Sequence, residues 1–246
     1  MCRSLPMLCA AFLTVASGSL ARGADDVYDV VIRRGLICDG LGGEPVRGDL
    51  AISGDTIKKV GDLTGAKATL DFDAQGLVVA PGFVNMLSWA TDALLVDGRS
   101  QSDLRQGVTL EVFGEGWSMG PLNPSMKADM KSSQGDLKFD VAWTTLAEYL
   151  EHLEKRGVSC NVASFVGATT ARIHEVGYDN RRPSKEELSR MCELVRQEMK
   201  AGAMGVGSSL IYAPAFYAGT DELIELCKAA AEYDGLYVSH IRSEGN

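Results

Sequence analysis

The 246-residue chain is acidic, with 33 Asp and Glu residues against 24 Lys and Arg residues and a formal net charge of −9. Proteins that bind nucleic acid neutralise phosphates with clustered Lys and Arg side chains, and this sequence has no basic stripe, so we expect no nucleic-acid partner. The length corresponds to one or two domains with ample room for a hydrophobic core.

Residues 1–24 have the pattern of a secretory signal peptide. Arg3 gives a positive start, an apolar core runs from Leu5 to Val15, and small residues follow. The apolar core is shorter than the roughly 20 residues that a membrane-spanning helix needs. We therefore expect export to the periplasm or the medium, with cleavage between Arg22 and Asp25 and no stable membrane insertion afterwards. A retained membrane anchor is the alternative.

The six cysteines do not form a metal-binding or disulfide pattern. Cys2 and Cys9 belong to the signal-like segment, and no C-x-x-C spacing occurs. We therefore expect neither a zinc knot nor a disulfide framework, although a single disulfide after export stays open.

Residues 25–80 are predicted to form a small β unit with a structural role. Short runs rich in β-branched and aromatic residues are separated by Gly-containing turns such as Ser53-Gly54-Asp55, as hairpins require. The runs are Tyr28–Arg33, Asp49–Ser53, Thr56–Val60 and Thr69–Phe72.

Residues 81–246 alternate between strand and helix patterns. Candidate strands cover residues 83–87, 108–113, 158–166, 203–208 and 236–241. Helices are indicated over about 142–156, from a Ser184-x-x-Glu187 capping box onward, and from Thr220 to Gly235. Such alternation predicts an α/β fold with a parallel sheet, and the residues alone leave an open sheet and a closed barrel equally possible.

Functional side chains of such folds gather where the strands end. Strand one ends at Leu87-Ser88-Trp89, strand two runs into Gly114-Glu115-Gly116, and strand five ends at His240. The two glycines lack the third glycine of a dinucleotide-binding loop, so we do not predict a phosphate site there.

Six segments, taken in order and spacing, resemble the amidohydrolase superfamily and within it the N-acyl-D-amino-acid deacylases. They are Val79–Phe83, Gln106–Thr109, Asn161–Gly167, Ala201–Gly205, Leu210–Tyr212 and Ser239–Gly245. The resemblance covers nearly all of the chain after residue 24. It implies the first five strands of a (β/α)8 TIM-type barrel over residues 81–246, flanked by the N-terminal part of a small β-sandwich over residues 25–80. The chain is then expected to be the N-terminal part of a longer protein.

The resemblance also implies a metal site. In that family a zinc ion polarises an amide carbonyl and activates water, and it is held by a Cys in a Gly-Asn-Cys-Gly loop and by His residues after strands five and six. His240 matches the strand-five ligand. A gapless match places Gly116 at the Cys, so the neighbouring Glu115 is the candidate oxygen ligand. The alternatives are a solvated loop acid for Glu115 and a core histidine for His240. The sixth-strand His and an Asp general base are expected beyond Asn246.

Other candidates concern the substrate pocket. The first His-x-His pair of the family is replaced here by Leu87 and Trp89, so we expect at most one zinc ion and an apolar wall formed by Trp89. Tyr212 matches a Tyr that lines the pocket. Arg242 is a further candidate substrate contact, with a bracing ion pair to Glu244 as the favoured alternative.

The resemblance implies an exported metal-dependent amidohydrolase that acts on a small N-acylated substrate, such as an N-acyl-D-amino acid. The loss of the His-x-His pair leaves a second hypothesis open, in which a catalytically inactive relative binds an acylated or cell-wall-derived ligand. A hydrolase of cyclic amides is a further possibility on the same scaffold, because a fold does not fix the substrate.

Overall fold

The structure is a computed structural model that describes residues 27–245. The signal-like segment, residues 1–24, lies outside this range, as does Asn246. The chain divides into two compact units between Pro81 and Gly82. Across the described range, every helix is too short or too polar to cross a membrane.

The first unit is a five-stranded sheet. Its strands are β1 Val27–Ile37, β2 Val46–Ser53, β3 Thr56–Gly61, β4 Lys67–Asp73 and β5 Val78–Val79. The order is β3-β2-β1-β4, with β5 also paired to β1. The β1–β2 and β2–β3 pairs are antiparallel, whereas β4 and β5 run parallel to β1. Each of the four predicted β runs lies within one of these strands. The sandwich expected to include residues 25–80 needs a second sheet besides this one, so it stays a prediction.

The second unit contains six strands that pair in parallel. They are β6 Phe83–Asn85, β7 Val108–Phe113, β8 Asn161–Ser164, β9 Val166–Gly167, β10 Gly205–Ser209 and β11 Leu236–His240. Two three-stranded sheets result, with the orders β6-β7-β8 and β9-β10-β11. The predicted strand at 158–166 is thus split, because Phe165 interrupts it and donates its backbone N–H to the Phe113 carbonyl at 2.9 Å.

Seven helices accompany these strands in the described part of the chain. They are α1 Thr91–Val96, α2 Gln101–Leu104, α3 Pro124–Ser132, α4 Leu146–Arg156, α5 Ala168–Val176, α6 Lys185–Lys200 and α7 Thr220–Ala231. The three predicted helices are confirmed as α4, α6 and α7. Helix α4 begins at Leu146 rather than near residue 142, because Thr145 and Glu148 form a capping box there.

Helix α5, which carries His174, was not predicted. Seven of its nine residues are buried, so the helix has no polar face and shows no helical periodicity in the sequence. The buried Arg172 of α5 pairs with Glu222 of α7, with Nη1 and Oε2 2.6 Å apart. The helices pack on the strands around one apolar core that includes Tyr149, Met191 and Leu226. The second unit is therefore a mixed α/β fold.

Candidate active site

The loop that follows β7, residues 114–118 and here called the β7 loop, is held in place by hydrogen bonds to β9 and α5. The Gly116 carbonyl accepts from the Thr169 backbone N–H at 3.0 Å. The Ser118 hydroxyl accepts from the Gly167 N–H at 2.9 Å, and the Ser118 N–H donates to the Thr170 hydroxyl at 2.8 Å. These three bonds to Gly167, Thr169 and Thr170 fix the course of the loop.

Glycines allow the β7 loop to lie directly against β9 and β10. A Cβ atom on Gly167 would lie 2.3 Å from the Gly116 carbonyl oxygen, and one on Gly207 would lie 2.0 Å from the Gly114 carbonyl oxygen. Both distances are far below a van der Waals contact. The backbone of the loop can therefore pass over these strands only because they carry no side chain at those positions.

Gly116 itself has no room for a side chain. Its φ is +91°, a left-handed conformation that favours glycine, and an added Cβ would lie 2.6 Å from the Cβ of Ser209. The position that the gapless match aligned with the family Cys therefore faces a neighbouring strand. Glu115 is the residue of this loop whose side chain is free to reach the site.

Glu115 and His240 come together at the carboxyl ends of two separate strands. The Oε2 atom of Glu115 lies 3.8 Å from the Nδ1 atom of His240, and both side chains are mostly buried, with 15% and 24% exposure. His240 ends β11 and is the register partner of Ser209 on β10. The other ring nitrogen, Nε2, lies 2.9 Å from Oε1 of Glu244. An imidazole is thus flanked by two carboxylates.

This pair fits two ligands of a single zinc ion. Two atoms that each lie ~2.1 Å from a tetrahedral zinc are about 3.4 Å apart, close to the 3.8 Å between Glu115 and His240. A ligand imidazole whose second nitrogen bonds a carboxylate, as Glu244 provides, is the usual arrangement around protein-bound zinc. Within residues 27–245, no group of three His, Cys, Asp or Glu side chains forms a complete ligand set. A catalytic zinc site normally has three protein ligands, so the pair is a partial set.

Two of the predicted pocket residues border this pair. The Tyr212 ring meets the His240 ring edge-on, with centroids 5.7 Å apart. Trp89 lines a small cavity that also contacts Glu115 and Trp117. The structure thus brings Glu115, His240 and Tyr212 together, and Trp89 lines the same cavity as Glu115.

Arg242 does not join this group in any contact of the described residues. Its guanidinium donates to the carbonyls of Phe216 and Ala218, at 2.8 and 3.0 Å, and lies 6.0 Å from the centre of the Phe216 ring. The prediction of an Arg242–Glu244 ion pair is wrong, because the Glu244 carboxylate forms a hydrogen bond with His240 instead. Arg242 therefore braces the turn after β10, and its contact with substrate stays a prediction.

Glu111, a fully buried carboxylate on β7, was not predicted from the sequence. Its Oε2 accepts from the Ser88 hydroxyl at 2.8 Å, and its Oε1 has no hydrogen-bond partner among the described residues. Burial is the main cause that raises the pKa of the nearby Cys160 thiol, and Glu111 adds to it, so Cys160 stays protonated. An acid in the middle of the apolar run Val108–Phe113 was the available signal. Through Ser88, Glu111 anchors the segment that carries Trp89.

The second unit thus combines parallel strands with a carboxylate–imidazole pair at the strand ends, an α/β fold with a candidate site for one metal ion. No protein-family model matches the chain. The chain is 34% identical over 222 residues to a D-aminoacylase of Alcaligenes xylosoxydans xylosoxydans, a match that covers 89% of this chain and 45% of the relative.

Solved structures agree with this relationship. A D-aminoacylase structure that concerns the functional role of its binuclear metal centre, with one-metal activation and second-metal attenuation, has a TM-score of 0.76 and 30% identity, over 88% of this chain and 46% of that one. An N-acyl-D-glutamate deacylase from Bordetella bronchiseptica, complexed with zinc and a phosphonate inhibitor, has a TM-score of 0.77 and 28% identity, over 89% and 46% of the two chains. The chain is therefore homologous over most of its length to D-aminoacylases and N-acyl-D-amino-acid deacylases, and its structural neighbours are amidohydrolases. It spans about half the length of the relatives that it matches.

Proposed function

We propose that this chain is part of an exported zinc-dependent amidohydrolase that hydrolyses the amide C–N bond of an N-acyl-D-amino acid. The observation that carries the proposal is the pair formed by Glu115 and His240, 3.8 Å apart at the carboxyl ends of parallel strands. The family relationship supports the substrate class, because the matched relatives are named for N-acyl-D-amino acids.

The strand arrangement supports the first part of a (β/α)8 barrel. From β6 to β11, each strand pairs in parallel with a neighbour in chain order, and helices connect most of the successive strands. Active sites of such barrels lie at the carboxyl ends of the strands, where Glu115 and His240 are found.

In the proposed site, Glu115 and His240 hold one zinc ion together with a ligand from outside residues 27–245. Zinc bound there would supply a Lewis acid that polarises an amide carbonyl and activates water. In this site the Nε2–H of His240 donates a hydrogen bond to Glu244, and this tautomer leaves the Nδ1 lone pair available on the side of Glu115. The Tyr212 ring limits rotation of the imidazole. Trp89 presents an apolar wall in place of a second metal pair.

Export and cleavage before Asp25 are part of the same proposal. They rest on the charged start, the short apolar core and the small residues of the N-terminal segment. A small N-acylated compound outside the cytoplasm is the expected substrate.

Hydrolysis of N-acetyl-D-methionine and its L enantiomer by the zinc-loaded full-length protein tests the proposal. We expect release of D-methionine in at least tenfold excess over L-methionine. His240→Ala removes a ligand and should abolish release, whereas the control His174→Ala, on α5 and outside the site, should keep it. Turnover that survives in His240→Ala contradicts the proposed site. A folded, zinc-loaded parent without turnover favours the inactive binding protein, which the replacement of the His-x-His pair by Leu87 and Trp89 supports.

A further inference from the structure

Two cavities have Trp117 in their walls. The proximal cavity, of about 80 Å³, borders Glu115 and has Trp89, Trp117, Met119 and Met130 in its walls. The distal cavity, of about 180 Å³, borders the same Trp117 and extends along α3. Its apolar walls are formed by Leu122, Met126, Met130 and Tyr178.

Three residues line both cavities: Trp117, Ser118 and Met130. Ser118 is a fixed part of this shared wall, because its backbone and hydroxyl are bonded to Thr170 and Gly167. Met130 is half-buried near the end of α3, and an unbranched methionine side chain with three rotatable bonds changes rotamer easily. Met130 is therefore the movable part of the wall that separates the two cavities.

The chemistry of the walls selects an uncharged, apolar occupant. Trp89 and Met119 line the proximal cavity, and Leu122 and Met126 line the distal one. The charged groups of the two linings are carboxylates, Glu115 in the first and Asp129 in the second. A second negative charge beside either carboxylate is unfavourable, so an acidic side chain is a poor occupant.

We propose that the two cavities bind the acyl chain of the substrate, and that Met130 sets the chain length that the protein accepts. This inference rests on the proposed function, because it takes Glu115 as part of the hydrolytic site. The proximal cavity, of about 80 Å³, is well above the ~15 Å³ that a single water needs and has room for an acetyl group. A longer linear acyl chain passes Met130 and fills the distal cavity. The substrate class is thus an N-acyl amino acid with a medium-length saturated acyl chain.

The test compares N-acetyl-D-methionine with N-octanoyl-D-methionine on the full-length protein. Each buried methylene improves binding by about fourfold, so KM should fall by more than tenfold from the acetyl to the octanoyl substrate while kcat changes little. Met130→Trp should raise the KM of the octanoyl substrate at least tenfold more than that of the acetyl substrate. Met130→Ala should lower the KM of the octanoyl substrate. Lys131→Trp, the same enlargement at the next, exposed position of α3, should match the parent.

Calorimetric titration of the parent with octanamide and acetamide, two uncharged probes, gives a readout that needs no turnover. We expect octanamide to bind, acetamide to bind at least tenfold more weakly, and Met130→Trp to lose octanamide affinity with unchanged circular dichroism. Equal KM values for the two substrates, together with no octanamide binding, overturn the acyl-chain proposal and leave the hydrolase standing. Octanamide binding that Met130→Trp removes, in a protein that hydrolyses neither substrate, supports the cavity assignment and refutes the hydrolase.

Discussion

Glu115 and Gly116 are neighbours at the end of β7, and the space around them decides which one serves the site. The sequence left both open, because a gapless match aligned Gly116 with the family Cys and offered Glu115 only as an adjacent acid. Ser209, on a strand 93 positions further along the chain, fills the space that a side chain at residue 116 would need. A contact of this kind between distant segments has no signature in the local sequence.

Gly116→Ala should therefore destabilise the protein more than a Gly→Ala substitution that introduces the same backbone strain but no steric clash. Gly157→Ala is the matched control, because its φ is +83° and an added Cβ meets nothing within 4 Å. Both changes introduce left-handed strain of about 1–3 kcal/mol, and Gly116→Ala adds an overpacking cost of about 1–3 kcal/mol against Ser209. Urea unfolding measures the difference, and equal losses of stability for the two variants would show that the loop can move away from Ser209.

The site residues that could be predicted from the sequence lie at the ends of strands. His240 was identifiable because it follows an apolar run and belongs to a recognisable segment. Glu244, which bonds its ring, was assigned to Arg242 instead, because the sequence does not show which way side chains turn after a strand. Glu111 was missed for a similar reason, since its partner Ser88 comes from the neighbouring strand end.

At the scale of elements, helices that begin with a capping box and have one apolar face were predictable. Helices α4 and α6 have both features. Helix α5 has neither feature, because its N-cap residue is Gly167 and the helix is buried on nearly all sides. Helices α1 and α2 are too short to show a periodic pattern. Predictability thus followed exposure, since only a helix with a solvated face alternates polar and apolar residues.

The start of α6 also gives a pH-dependent prediction. Glu187 accepts from the Arg181 guanidinium at 2.7 Å and from the Ser184 backbone N–H at 2.7 Å, and these bonds lower the pKa of the Glu187 carboxyl to about 2. A lowered pKa in the folded state contributes stability above the unfolded pKa of ~4.3, and this contribution is lost as the pH falls towards 2.

Glu187→Gln should therefore be less stable than the parent at pH 6, and the difference should disappear near pH 2. Glu193→Gln removes the same charge from the same helix at a half-exposed position and is the control. Chemical unfolding at pH 6, 4 and 2 measures the effect. A stability difference between parent and Glu187→Gln that stays constant over this range contradicts the role of the Arg181–Glu187–Ser184 contacts.

At the scale of the whole molecule, the sequence predicted parallel strands but not how the sheet closes. Closure depends on pairing between the first and last strands, which the composition of single strands does not encode. In the described residues the strands form two three-stranded sheets that meet at Phe165. The resemblance to a family could be recognised because several short segments occur in the same order and at similar spacing along the whole second unit.

We propose a one-zinc site built on His240 and Glu115, with Leu87 and Trp89 providing no ligand. Elemental analysis of the full-length protein, after dialysis against a weak chelator, tests this site most directly. We expect one zinc per chain in the parent and in the control His174→Ala, none in His240→Ala, and a reduced content in Glu115→Gln. Two zinc ions per parent chain, or one that persists in His240→Ala, would contradict the account.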